Sequence, residues 1–259
     1  MTDQSIDKLV ADIAAHHSSL TGKPFGPLPE IVTDRKRKVE LFEEGLRIKA
    51  EEEGTKFSPS PGWGKLLIAA LAYSLPENFH AHANAISIKG NVYGRIKDYD
   101  PYAESVLSHE MGHAHHLNIL QNKNHTEAKK SFRNRHLYEQ VFLEGVALRF
   151  QTEYLRNKYA IPEESIHKRL AGFFDIDEKK MDLLKKIAHA SQKESFDSIT
   201  TPKLGLMIGI KFSGITYQLG NLYVQHELKE GHTIYEIMTN PPHSTGELTR
   251  KAGLLEGTP

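Results

Sequence analysis

Within Ser108-His109-Glu110-Met111-Gly112-His113, two histidines stand four residues apart and a glutamate follows the first. On a helix that turns about 100° per residue, positions four apart lie only about 40° from each other around the axis. Two imidazoles so placed can grip one metal ion, and the Glu110 carboxylate stands one step round, beside any water on that ion. The chemistry of such a set is activation of water for attack on a carbonyl. The flanking sequence predicts the helix this requires. Asp100 reads as its N-cap with Pro101 at the first helical position, and Val106, Leu107, Met111, Ala114 and Leu117 supply apolar packing. Apart from histidines, Glu110 is the only charged residue from Ser105 to Leu120. Burying that carboxylate and two imidazoles costs free energy that a metal would offset. His115 and His116 follow at once and are expected to stay off the metal.

The chain that must position these groups has 259 residues, enough to bury a sizeable core. Lys plus Arg and Asp plus Glu number 33 each, a formal net charge of zero, which argues against nucleic-acid and membrane-surface binding. There is no cysteine, which excludes disulfides, thiolate zinc sites and cysteine nucleophiles together. A metal must therefore be held by His, Asp or Glu, and 15 histidines are present. The opening residues MTDQSIDKLVADIAAHHSSL lack the basic and apolar regions of a signal peptide. The longest apolar run, Leu66 to Leu75, is too short to span a bilayer. The expectation is a soluble, cytoplasmic chain.

Ile6, Leu9, Val10 and Ile13 recur at helical spacing and predict an amphipathic helix over residues 4 to 20, ended by the Gly/Pro-rich loop TGKPFGPLPE. A very charged helix is predicted over 33 to 53, with Val39, Leu41, Phe42, Leu46 and Ile48 inward and Gly54 closing it. FSPSPGWG reads as a loop, and Lys65 to Leu75 as a short buried helix. Asn84 to Lys89, then Gly90-Asn91, then Val92 to Ile96 alternate and turn like a β-hairpin just before the HExxH helix. A strand there would offer its free edge to an extended peptide, or serve as scaffold alone. His80 and His82 are expected at the surface.

A catalytic zinc keeps three protein ligands and one open position, so a third ligand is needed. The pattern HExxHxxGxxH is excluded, because position 116 is His and position 119 is Ile. On the helix predicted for HLYEQVFLEGVALRFQTEYL, Leu137, Val141, Ala147 and Leu148 lie within about 60° of Glu144 around the axis. Glu139 and Glu153 fall about 140° or more away. A carboxylate inside an apolar stripe needs a partner, either a metal or a buried arginine, and Glu144 is the expected third ligand. Gly145 and Ala147 leave room for another helix to approach. A single unbroken helix from Thr126 would carry Glu144 about 15 Å past His113, so Asn122 to Arg135 must be a detour and the ligand helix must begin near Asn134. One or two helices are predicted over 161 to 193, split near Asp175-Ile176-Asp177, and an apolar, glycine-bearing helix over 203 to 230.

VLSHEMGHAHH followed by LEGVA resembles the gluzincin metallopeptidases, the thermolysin-like clan with two histidines and a downstream glutamate as zinc ligands. The resemblance covers about residues 84 to 150, with a weaker echo to about 246, at the level of the clan. It implies His109, His113 and Glu144 as ligands of one zinc ion per chain and Glu110 as general base. Asn84-Ala85 is similar to the Asn-Ala pair on the clan's substrate-binding edge strand. Tyr217, within YxxG, is similar to the tyrosine that several such families use to stabilise the oxyanion; a packing tyrosine is the plain alternative. His243, in NPPHSTGEL, is the rival donor. Two departures stand out: His115 replaces a usual hydrophobic residue, and Leu148 replaces the aspartate that steadies a ligand histidine, which leaves that steadying group unidentified.

The resulting expectation is an α+β, predominantly helical, zincin-like chain with a small β-hairpin beside the HExxH helix. It would form one catalytic domain over 1–259, divisible into lobes at 1–121 and 122–259. Its activity would be zinc-dependent hydrolysis of peptide or protein substrates, leaning to endopeptidase or oligopeptidase, with no nucleic-acid or membrane partner. Two alternatives stay open: a zinc hydrolase of non-peptide amides or esters, and a helical binding protein whose HExxH is non-catalytic or fortuitous. Oligomeric state is not legible.

Overall fold

The computed structural model describes residues 4–52, 54–56, 78–122, 137–171, 176–191 and 213–254. The FSPSPGWG loop, the Lys65–Leu75 helix and the detour expected beyond Asn122 lie outside them. The elements are α1 (Gln4–Thr21), β1 (Glu30–Val32), α2 (Arg35–Glu52), β2 (Asn78–His80), a 3-10 turn (Ala81–Ala83), β3 (Ala85–Ser87) and α3 (Gly90–Lys97). These are followed by α4 (Pro101–Asn122), α5 (Leu137–Tyr159), α6 (Glu163–Arg169), α7 (Glu178–Ala190), α8 (Ser213–Lys229), α9 (Ile234–Thr239) and α10 (Thr245–Lys251). The fold is α+β and predominantly helical, with a three-stranded sheet. No described helix is long and apolar enough to cross a membrane.

The predicted helices α1, α2 and α4 are present, and their ends follow local chemistry. Ile6, Leu9, Val10 and Ile13 of α1 are buried together. Gly54, at φ +67°, follows α2, and the amide of Thr55 returns to the Ala50 carbonyl at 2.8 Å. Asp100 caps α4 as expected: its Oδ1 accepts from the Tyr102 amide at 2.9 Å and, more weakly, from that of Ala103 at 3.4 Å. Asp177 caps α7 by accepting from the Lys180 amide at 2.8 Å.

The β-hairpin is corrected by the structure. Its first arm is the short strand β3, but Gly90 to Lys97 forms helix α3. Val92, Tyr93 and Ile96 satisfy helical as well as alternating spacing, and as a helix all three pack on the core beneath α4. Strand β3 pairs instead with two strands the sequence did not announce, parallel to β1 and antiparallel to β2, in the order β1-β3-β2. Among the described residues it is therefore the central strand. Ala85 is opposite both Glu30 and His80, so it is not on a free edge. Asn84 takes a left-handed conformation (φ 45°) and its amide donates to the Leu28 carbonyl at 3.2 Å, tying the Gly/Pro loop to the sheet. His80, expected at the surface, is largely buried on β2, with Nε2 3.2 Å from Ser87 Oγ.

Besides a small cluster of Val32, Leu41 and Ala85 between the sheet and α2, the core falls into two large clusters that meet along α4 and α5. One gathers α1, the sheet, α3 and one face of α4; the other gathers most of α5 with α7, α8, α9 and α10. Helices α4 and α5 run antiparallel: His116 meets Phe142, Gly112 meets Ala147 and Phe150, Ser108 meets the Phe150 carbonyl, and Glu104 meets Tyr154. On its other side α5 touches α8 backbone to backbone. A methyl group added at Gly145 would lie 2.7 Å from Gly220 Cα, and one added at Gly220 would lie 2.8 Å from Gly145 Cα. With helices on two sides, α5 has no solvated stripe along most of its length. This is why Glu139, which helical geometry had placed off the buried face, is buried as well.

Candidate metal centre

The two histidines of α4 and the glutamate of α5 converge. Glu144 Oε2 lies 3.2 Å from His109 Nε2 and 3.5 Å from His113 Nε2, and all three side chains are buried. The two rings stand nearly perpendicular, 86° apart, with centroids separated by 4.9 Å, so both Nε2 atoms turn toward the same point. These three residues form the one cluster of potential metal-ligating groups among the described residues. They can hold a metal ion. Four tetrahedral donors at about 2.0–2.1 Å from zinc stand about 3.3–3.4 Å from one another. The 3.2 and 3.5 Å from the carboxylate to the two imidazoles bracket that spacing, and the three donors all lie within 4.8 Å of one another, so nitrogen and oxygen donors suited to such an ion are gathered at one point.

The electrostatics follow from this packing. Burial by itself would raise the Glu144 pKa, but the charge of His113 and hydrogen bonds from His109 and His113 outweigh it and hold the carboxyl well below its ordinary range. Burial lowers the His109 pKa; the hydrogen bond to Glu144 opposes this, His113 adds to it, and the nearby Gln151 side chain opposes it a little further. The donor set is thus an ionised carboxylate beside an imidazole held in its neutral form, the state a metal requires of each.

Glu110 is buried on α4. Tyr217, on α8, reaches the same place: its ring centroid is 5.5 Å from that of His109. Its phenol is pushed well above the ordinary tyrosine range by burial, then by the charges of Glu144 and Glu110 and by a hydrogen bond to Glu144. It therefore stays protonated and remains a donor. The Gly145–Gly220 contact explains how it gets there, since Gly145 adjoins Glu144 and Gly220 lies one turn beyond Tyr217. His243 is exposed at the start of α10, its backbone amide donating to Glu247 at 2.8 Å. Asn84 and Ala85 belong to the sheet and its entry turn.

His115 and His116 stay away from the donor set, as expected. His115 Nε2 is 2.8 Å from Thr21 Oγ1 with its ring stacked on Phe25, and His116 Nε2 is 3.0 Å from the Met238 carbonyl. The sequence reading did not single out Ser105 or Gln151, a buried polar pair beside the centre, nor His17, whose Nε2 is 3.0 Å from Ser108 Oγ. Gln151 lies seven residues after Glu144 on the same face of α5, a spacing that could have drawn attention to it. Comparison with protein-family models, curated proteins and solved structures finds no match for the chain.

Proposed function

We propose that this chain is a zinc-dependent metallopeptidase of the gluzincin type, with His109, His113 and Glu144 holding the ion. The observation that carries this is the separation of the Nε2 and carboxylate donors, which suits a tetrahedral ion, next to a buried carboxylate that is not one of the three. A zinc ion there supplies a Lewis acid that makes water acidic and a carbonyl electrophilic. Glu110 takes the proton from the attacking water and returns it to the leaving amine. Tyr217 donates its O–H to the carbonyl oxygen as negative charge develops on it. The zincin-like reading of the fold is supported by helix α4, which packs against antiparallel strand β2. On this reading an extended peptide or protein segment adds to the outer edge of β2, rather than to β3 as the sequence suggested. Neutral net charge and the absence of cysteine support a cytoplasmic setting without nucleic-acid or membrane partners.

The test is metal content and peptide cleavage. Wild-type protein is expected to carry about one zinc per chain, Glu144→Ala much less, and Glu110→Gln a full complement with no cleavage of unstructured peptides. A folded wild type that takes up no zinc would remove the proposal. Zinc retained in full by Glu144→Ala would move the third ligand elsewhere. Zinc uptake with hydrolysis of small amides or esters but of no peptide would change the substrate class.

A further inference from the structure

The identity of the group that steadies a ligand histidine can be read from one hydrogen-bond chain. In α4 the Ser105 hydroxyl donates to the Tyr102 carbonyl at 2.8 Å, which uses its only hydrogen. Its oxygen is then an acceptor, and it accepts from Gln151 Nε2 of α5 at 3.0 Å. That fixes which way the Gln151 carboxamide points: the NH2 end faces Ser105 and the oxygen faces the other way. Ser105 is four residues before His109, so both lie on one face of α4. The Gln151 side chain lies close enough to the His109 ring to act on its protonation. His109 Nε2 is directed at Glu144, so the ring atom left for Gln151 is Nδ1. Nδ1 is fully buried and has no partner at ordinary hydrogen-bond distance, while Ser105 and Gln151 are themselves 0% and 4% exposed. A buried N–H beside an amide oxygen of fixed direction has one favourable arrangement.

We infer that Gln151 is the positioning residue of the metal centre: its side-chain oxygen accepts from His109 Nδ1–H, and Ser105 holds the amide in that orientation. Resting on the metal-site reading above, this gives His109 the tautomer that presents the Nε2 lone pair to the ion, and it fixes the ring's rotation. The usual partner is a carboxylate or a backbone carbonyl; a side-chain amide holds the ring equally well but brings no negative charge. Leu148, where the clan resemblance led one to look for an aspartate, is free to be core.

The test is zinc affinity, measured by chelator competition on metal-free protein, with the visible spectrum of the cobalt-substituted form as second readout. Gln151→Leu keeps the volume but removes the acceptor; it is expected to bind zinc about 10–100-fold more weakly and to shift the cobalt bands. Gln151→Glu restores the acceptor and is expected to bind at least as tightly as wild type. Ser105→Ala frees the amide and should weaken zinc in the same direction by a smaller factor; it carries the test if Gln151→Leu fails to fold. Wild-type zinc affinity in Gln151→Leu, or in Ser105→Ala where that variant carries the test, would overturn the inference, as would a loss that Gln151→Glu does not rescue. Those results leave the metal site standing. Failure of wild type to bind zinc, or indifference of binding to Glu144→Ala, would strike the metal site itself.

Discussion

Replacing Gly145 by alanine sets two effects of opposite sign against each other at one atom. In a helix interior, Gly→Ala alone is worth about 0.5–1 kcal/mol of stabilisation. Here the new methyl would stand 2.7 Å from Gly220 Cα and closer still to other backbone atoms of Gly220. Carbon atoms pack at about 3.5–4.0 Å, so the two helices must part by about 1 Å. Overpacking costs about 1–3 kcal/mol, and the upper end applies because backbone cannot rotate away as a side chain can. The net expectation is a loss of about 2 kcal/mol, or roughly 4–8 °C in Tm for a domain of this size. The site should suffer beyond that. Glu144 adjoins the new methyl and Tyr217 is one turn from Gly220, so the phenol shifts by about 1 Å relative to the carboxylate, a displacement that can cost about 100-fold in rate. The assay is thermal unfolding with peptide cleavage measured well below Tm. Gly94, inside α3 with nothing within 4 Å of its added methyl, is the control: Gly94→Ala should gain about 0.5–1 kcal/mol. If Gly145→Ala tracks that control and gains stability, the backbone contact between α5 and α8 is not as described.

Burial keeps His17 neutral, with the neighbouring His115 and His16 adding to its lowered pKa; burial also brings His115 down to about 4, against an opposing hydrogen bond from the Phe25 backbone. The unfolded chain binds protons at these positions below about pH 6.5 while the folded chain does not, so stability present above that pH is lost as pH falls toward 4. His115 alone should cost about 2 kcal/mol at pH 5; a urea midpoint that stays flat from pH 7.5 to 5 would contradict this, and His115→Gln should remove part of the slope. Glu104 is 3% exposed and accepts from Tyr154, Tyr159 and Lys158, so Glu104→Leu should cost about 3 kcal/mol in denaturant unfolding and Glu104→Gln clearly less. Zinc content in Glu144→Ala gives the remaining check.

What could be read from the sequence was what is local or marked by an anomaly. His109, Glu110 and His113 are set by one helical turn, and Asp100-Pro101 announced where that helix begins. Glu144 was legible because a carboxylate interrupts an apolar stripe. The same single-stripe geometry missed the burial of Glu139, since it assumed one packed face where α5 has two. Strands β1 and β2, three residues each, carry too little pattern, and the parallel β1–β3 pairing joins Glu30 to Ala85 across a long stretch of chain. Gly90 to Lys97 fitted two periods at once, and tertiary packing chose the helix. Gly145 was noticed as room for an approach, but its partner Gly220 could not be named without the fold. Gln151 carried only its spacing from Glu144, because an amide in a helix is unremarkable until Ser105, 46 residues away, is seen to orient it.

The donor set of the centre is nitrogen and oxygen alone, in a chain with no cysteine. Oxidants that empty thiolate metal sites by converting sulfur to sulfenic acid or disulfide have nothing to attack here. The sulfur closest in sequence to the ligands, that of Met111 between the two histidines, is 0% exposed and screened from peroxide. A zinc ion held by His109, His113 and Glu144 would therefore be indifferent to thiol oxidation, and its loss would be governed by acid and chelators instead.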